Sequence, residues 1–217
     1  MKLYGDNASI FFTSDLHIGH NKDFLWQSRG FPSIQDHDVA LVKNWNKKIA
    51  EDDICFVLGD LTLGCDIEYA VDILNQLHGT IFWIRGNHDS VTKIEDILKR
   101  CPNIHSTMDL PCEDPKEKQE YVPISEILRA GKTNIYLSHY PTILEAEDFC
   151  LAQYGRYRSI CLHGHTHNKD KHQFGEFCCY NVSLDAHEMS PVSLKKILDD
   201  LNKRKQIWGK EQETHKN

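Results

Sequence analysis

The stretch "SIFFTSDLHIGH" (Ser9–His20) changes character at its midpoint. Its first half, Ser9–Ser14, is a short apolar run rich in aromatic and β-branched residues, which is the composition of a strand. The run stops at Asp15, and His17 follows two residues later. A carboxylate and an imidazole therefore stand where the strand gives way to a loop. Taken alone this is ordinary turn chemistry, because Asp occupies turns readily. Recurrence would make it something else.

It recurs along the chain. "DICFVLG" (53–59) is followed by Asp60, and "TIFWIRG" (80–86) by Asn87, His88 and Asp89. "NIYLS" (134–138) is followed by His139, and "SICLHG" (159–164) by His165 and His167. A sixth run, "FCCYNV" (177–182), also reads as a strand. These runs are almost continuously apolar, which predicts sheets covered on both faces. In open α/β sheets the carboxyl ends of the strands converge on one edge, where ligands bind. The pattern thus predicts that Asp15, His17, Asp60, Asn87, His139, His165 and His167 meet.

Amphipathic segments fall between the strands. In 34–50, Val39, Val42 and Ile49 share a face behind a Ser33 N-cap. In 66–78, Ile67, Ala70, Val71, Leu74 and Leu77 follow the 3.6 period, with Gly79 as the stop. Segments 90–100 and 193–203 repeat the arrangement, capped by Ser90 and Ser193. Early strand–helix alternation argues α/β layers. Later strands arrive without a clear helix between them, so the sheet is expected to be mixed. "CEDPKEKQEYVP" (112–123) reads as a surface loop and "RAGKTN" (129–134) as a turn between strands. Trp26, Trp45 and Trp83 read as core. Residues 1–204 are expected to form one domain and 205–217 a polar tail that either frays or docks through Trp208.

With 217 residues the chain can bury a substantial core. A net charge of -7 argues against a general nucleic-acid coat or an anionic membrane surface as partner. The longest apolar runs are strand length, far short of a membrane span, and "MKLYGDNASIFFTSD" holds no signal-peptide stretch. A cytoplasmic location is expected. None of the eight cysteines form C-x-x-C, so they read as reduced and mostly buried.

The seven strand-end donors are carboxylate, imidazole and amide, with no thiolate. Such a set suits Mn²⁺, Fe, Zn²⁺, Ni²⁺ or Co²⁺ better than Ca²⁺ or a soft metal. It also exceeds what one tetrahedral ion needs. Two ions sharing a carboxylate would use all of it, in the manner of paired sites that promote in-line displacement at phosphorus.

The ordered set Asp15-x-His17, Gly59-Asp60, Gly86-Asn87-His88-Asp89, His139 and Gly164-His165-x-His167 resembles the calcineurin-like metallophosphoesterases. It spans residues 10–170. The wider stretches "FTSDLHIGHNKDF", "IRGNHD", "LSHYP" and "NVSLDAHEMSPVSL" look like a small bacterial and phage-type branch. The resemblance implies a four-layer α/β sandwich of two mixed sheets flanked by helices. It implies one ion on Asp15, His17, Asp60 and His167, and a second on Asp60, Asn87, His139 and His165, with Asp60 bridging. His88 matches the catalytic histidine, which contacts phosphate and protonates the leaving oxygen. The implied activity is metal-dependent hydrolysis of a phosphomonoester or phosphodiester in a small or nucleotide-like substrate, by in-line attack of a hydroxide held between the ions.

The Ser/Thr protein phosphatase branch carries G-D-x-V-D-R-G and G-N-H-E, where this chain has "GDLTLG" and "GNHD". The Asp that supports the catalytic histidine there is missing from its usual place, which leaves Asp89 as the residue to orient His88. His163 has no matching role and reads as a hydrogen-bonding residue behind the ligands or in the core. His20 either faces substrate or begins the next helix. Arg156 and Arg158 either recognise phosphate or are solvated. Alternatives to a small-molecule hydrolase are a nuclease, which would need a basic strip, and a non-catalytic metal-binding interaction scaffold.

Overall fold

A computed structural model describes residues 8–107, 123–130, 133–142, 158–172 and 179–203. Two mixed β-sheets carry the chain. The first is ordered β4 (Ile104–Ser106), β3 (Thr80–Ile84), β2 (Ile54–Leu58), β1 (Ile10–Thr13) and β9 (Val192–Ser193). All its pairings are parallel except β1 with β9. The second is ordered β5 (Ser125–Ala130), β6 (Thr133–Ser138), β7 (Arg158–His163) and β8 (Cys179–Asn181), with only β5–β6 antiparallel.

Strand alternation explains the unbroken apolar runs. Successive side chains point to opposite faces, and both faces are covered. Phe11, Cys55, Val57, Ile81 and Trp83 face a core shared with Leu41, Trp45, Val71, Leu74, Ile94 and Ile97. Those partners come from α2 (Ile34–Lys48), α3 (Ile67–Leu74) and α4 (Val91–Arg100). Phe12, Phe56, Leu58, Phe82 and Ile84 face the second sheet, where Leu128, Ile135, Leu137, Ile160 and Leu162 close the layer. Truncating one of these aliphatic side chains to Ala would cost about 2–5 kcal/mol. A fifth helix, α5 over residues 194–203, adds Ile197 and Leu201 to the inter-sheet core. The short α1 is Asp23–Trp26.

The helix expectations are met with changes of detail. Ser33 caps α2 by accepting from Asp36 N–H, and Ser193 Oγ accepts from Lys196 N–H. Ser90 does not cap α4; its hydroxyl pairs with Thr92 Oγ1. Val39 is exposed rather than part of the buried stripe of α2, and Val91 at the start of α4 is exposed as well. Ile49 is buried and Val42 packs against the core as expected, and the inward face of α2 also carries Ile34, His37, Asp38, Leu41 and Trp45. Two of those are polar, and they are bonded to each other and to the loop beside the site, which is why a hydrophobic count does not show the whole face. α3 ends at Leu74, before Gly79. Trp45 and Trp83 are core, whereas Trp26 is half-buried. Cys55, Cys101, Cys161 and Cys179 are buried free thiols, and Cys65 is a half-buried one. Cys112, Cys150, Cys178, most of the 112–123 loop and the tail from 205 lie outside the described residues. No described helix is long and apolar enough to cross a membrane.

Candidate metal centre

Five parallel strands, β1, β2, β3, β6 and β7, end at one edge of the two sheets. The loops beyond them carry Asp15 and His17, Asp60, Asn87, His139, and His165 and His167. The chain turns sharply at each. Among the described residues seven non-glycines have positive φ, and five of them are Asp15 (61°), His17 (51°), Asp60 (55°), His165 (69°) and His167 (49°). This is the left-handed region, disfavoured for L-residues. The turned backbones interlock: Asp15 N–H donates to Gly59 O and His17 N–H to Asp60 O. Gly59 (φ 90°) has Gly86 Cα and His139 Nδ1 each 2.6 Å from where a Cβ would stand. A Cβ on Gly164 would meet Ser14 Oγ and Asp15 Oδ2. Both glycines are therefore required for the loops to approach.

The donors fall into two overlapping groups. Asp15, His17 and His167 each place one ligating atom within 4.8 Å of the others, as do Asp15, Asp60 and His139. His17 Nε2 and His167 Nε2 are 3.1 Å apart. His17 Nε2 is 3.6 Å from Asp60 Oδ2, and His139 Nε2 is 3.5 Å from the same oxygen. Asn87 Oδ1 is 2.8 Å from His139 Nε2 and 3.0 Å from His165 Nδ1. Asp15, His17, Asp60 and His139 are buried, while Asn87, His165 and His167 are open to solvent.

Tautomers follow from the outer bonds. His139 Nδ1–H donates to Leu58 O at 2.8 Å, so Nε2 carries the lone pair in the neutral ring. That lone pair faces Asn87 Oδ1, itself an acceptor. His167 Nδ1–H donates to Asp185 Oδ2 at 2.9 Å, which turns its Nε2 toward His17. Burial, with His167 and Arg29 close by, pushes the His17 imidazole down to about 2, so this ring stays neutral. Burial raises the Asp15 carboxyl although His167 and His139 oppose the shift. Imidazole nitrogens, an amide oxygen and carboxylate oxygens thus converge at one place, and the donor chemistry fits divalent cations.

The remaining predicted residues take varied places. His88 is exposed, its ring centroid 5.8 Å from that of His17, and its N–H donates to Asp60 Oδ1 at 2.9 Å. Asp89 does not orient it. Asp89 Oδ2 accepts from the N–H groups of Asp60 (2.9 Å) and Gly86 (2.7 Å) and from Trp83 Nε1–H (3.2 Å). Asp89 Oδ1 accepts from Leu61 N–H at 2.8 Å. The carboxylate is used up holding two site loops together. His20 is half-buried with its ring 5.3 Å from His17. His163 is buried, with Nδ1–H donating to Gly164 O at 3.0 Å. Arg156 lies outside the described residues, and for Arg158 only the backbone is described.

A second layer escaped the sequence analysis. Asp185, in the 3₁₀ turn Leu184–Ala186, takes a bidentate Arg29 at 2.9 and 2.8 Å as well as His167. Arg29 also donates to Asp15 O at 2.8 Å and contacts His37 Nε2 at 3.0 Å. His37 Nδ1–H donates to Asp38 Oδ1, and Asp38 Oδ2 accepts from Gly19 N–H and Tyr69 O–H. Burial alone would raise the Asp185 carboxyl, but the His167 and Arg29 hydrogen bonds hold it well below the usual range.

The family model for calcineurin-like phosphoesterase matches residues 8–209. The chain belongs to this family. Its members use divalent metals, and the two donor groups are candidate binding residues here. Phage relatives agree with the small bacterial and phage-type branch. The chain is 27% identical over 208 residues to the Gene 66 protein of Mycobacterium phage D29, covering 89% of this chain and 98% of that one. It is 26% identical over 174 residues to the Gene 66 protein of Mycobacterium phage L5, covering 74% and 78%. The solved structure of protein AQ665 from Aquifex aeolicus superposes with a TM-score of 0.61 at 21% identity, covering 89% of this chain and 99% of that one. That likeness supports the two-sheet fold.

Proposed function

We propose that this calcineurin-like phosphoesterase hydrolyses phosphoric esters of a small phosphorylated or nucleotide-like substrate with the help of two divalent ions. Asp15, His17, Asp60 and His167 would hold one ion, and Asp60, Asn87, His139 and His165 the other. The carrying observation is the mutual approach of acceptors, above all His139 Nε2 facing Asn87 Oδ1 at 2.8 Å. When bound, such ions activate water and neutralise a phosphoryl group.

The chain's own groups then have separate tasks. Leu58 O and Asp185 fix the tautomers of His139 and His167, keeping a lone pair inward on each. Asp89 clamps the Asp60 and Gly86 backbones so the loops do not drift apart. His88, anchored through its N–H to Asp60 and open to solvent, is the side chain placed to pass a proton to the leaving oxygen. The buried His17 ring, held neutral, does not suit that role.

Protein loaded with Mn²⁺, Zn²⁺, Fe²⁺, Ni²⁺ or Co²⁺ is expected to carry two ions per chain by elemental analysis. It is expected to cleave 4-nitrophenyl phosphate or bis(4-nitrophenyl) phosphate until EDTA is added. Loaded protein inert toward both esters and toward mononucleotides would refute the reading.

A further inference from the structure

We infer that the site takes phosphoesters of nucleosides, and that Phe24 and Tyr140 select the base by stacking on it. This rests on the phosphoesterase reading and narrows its substrate.

Among the described residues the large hydrophobic side chains left exposed are Phe24 (72%), Val39, Val91, Ile124, Ile127 and Tyr140 (49%). Scattered apolar exposure of this kind is normal, but its distribution here is not even. Val91 stands three residues after His88. Ile124 follows Pro123, whose carbonyl accepts from Arg85 N–H at the end of β3. The two aromatic members lie closer still: Tyr140 against two imidazoles of the centre, and Phe24 one ring removed from it, against His20. Phe24 meets His20 edge-on at 5.7 Å, and His20 meets His17 at 5.3 Å. Tyr140 packs on His139 at 5.3 Å and on His165 at 4.6 Å. Tyr140 thus adjoins one donor group directly, and Phe24 stands behind the other through His20.

A phosphoryl group seated among these donors has its organic part at the apolar rim. That part meets π faces, which suit a planar heteroaromatic ring. An organic cation would also suit bare aromatic faces. Around Phe24, however, the cationic neighbours acting on His20 include Lys22 and Arg29, which repel one. A long nucleic acid would need a basic track, and the net charge is -7.

The test compares AMP with ribose 5-phosphate, which share the ester linkage and differ by the base. Mn²⁺-loaded wild type should show a KM for AMP about tenfold or more below that for ribose 5-phosphate, the size expected of base stacking. Phe24→Ala and Tyr140→Ala should each shrink that ratio, and the double variant should abolish it. Phe24→Tyr and Tyr140→Phe, which keep the rings, should retain it, as should the remote control Val39→Ala. Equal KM values in wild type, or a ratio that survives the double variant, would overturn the inference and leave the hydrolase intact. If no ester is turned over, the hydrolase reading fails separately, and binding decides this one. Saturation-transfer NMR should show the AMP base protons in contact with wild type and not with the double variant. No transfer in wild type, or binding of phosphocholine or single-stranded oligonucleotide in preference to AMP, would overturn it.

Discussion

His167 Nδ1 lies 2.9 Å from Asp185 Oδ2, and the same carboxylate takes both arms of Arg29. The side chain of Arg29 is 1% exposed and that of Asp185 10%. An ion pair so placed leaves a bare buried charge when one partner goes. Asp185→Ala should destabilise the protein by about 3–5 kcal/mol in urea titrations. Asp185→Asn, which keeps the volume, should weaken divalent-metal affinity by about 10–100-fold in calorimetric titrations.

His88→Ala should keep both ions and the melting temperature, because the side chain is exposed and its backbone N–H makes the bond to Asp60. Turnover of the nitrophenyl esters should fall by about 10²–10⁴-fold. Unchanged turnover would remove His88 from proton transfer.

Asp60→Asn keeps an acceptor for His88 N–H but loses the oxygen charge that lies near both His17 and His139. Elemental analysis should find both ions depleted. Loss of one ion alone would show that Asp60 does not bridge.

Asp89→Asn turns one acceptor oxygen into a donor facing N–H groups that the carboxylate satisfies. A loss of about 1–3 kcal/mol is expected in urea titrations, with metal affinity reduced through the displaced Asp60 loop. Were Asp89 instead the partner of His88, the variant would shift the pH–rate profile and leave metal affinity alone.

His187 supplies a pH prediction away from the metal ligands. Burial pushes its imidazole down to about 4, although its Nε2–H donates to Asn181 O. The unfolded chain titrates near an ordinary histidine value of about 6.5, so between these two values it binds more protons than the folded one. Stability should therefore be full above about 6.5 and fall as the pH drops toward 4. Urea midpoints of His187→Gln should be flatter over that window.

Residue type and strand ends were legible in the sequence because each donor directly follows an apolar run. "ICFVL" and "TIFWI" could hardly be anything but strands covered on both sides. β4, β5 and β9 were not legible. β4 has three residues and β9 two, and β5 shows solvent an exposed Ile127 beside the buried Leu128, which blurs the alternation. The Arg29–Asp185 pair was invisible for another reason. Its members lie 156 residues apart, and no local spacing reports such a contact. Asp185 stands within "NVSLDAHEMSPVSL", a stretch that resembles the branch, but nothing in that resemblance gave it a task. Asp89 was misread because adjacency to His88 in sequence suggested a partnership, whereas alternating geometry sends its carboxylate back under the preceding loops.

The left-handed backbones at Asp15, His17, Asp60, His165 and His167 carry one more implication. Each costs roughly 1–2 kcal/mol relative to an ordinary conformation, so together they consume an amount comparable to a typical domain's whole margin of stability. Glycine at any of them would relax the chain. Screening this protein for heat resistance alone should accordingly favour variants that have quietly discarded the groups it works with.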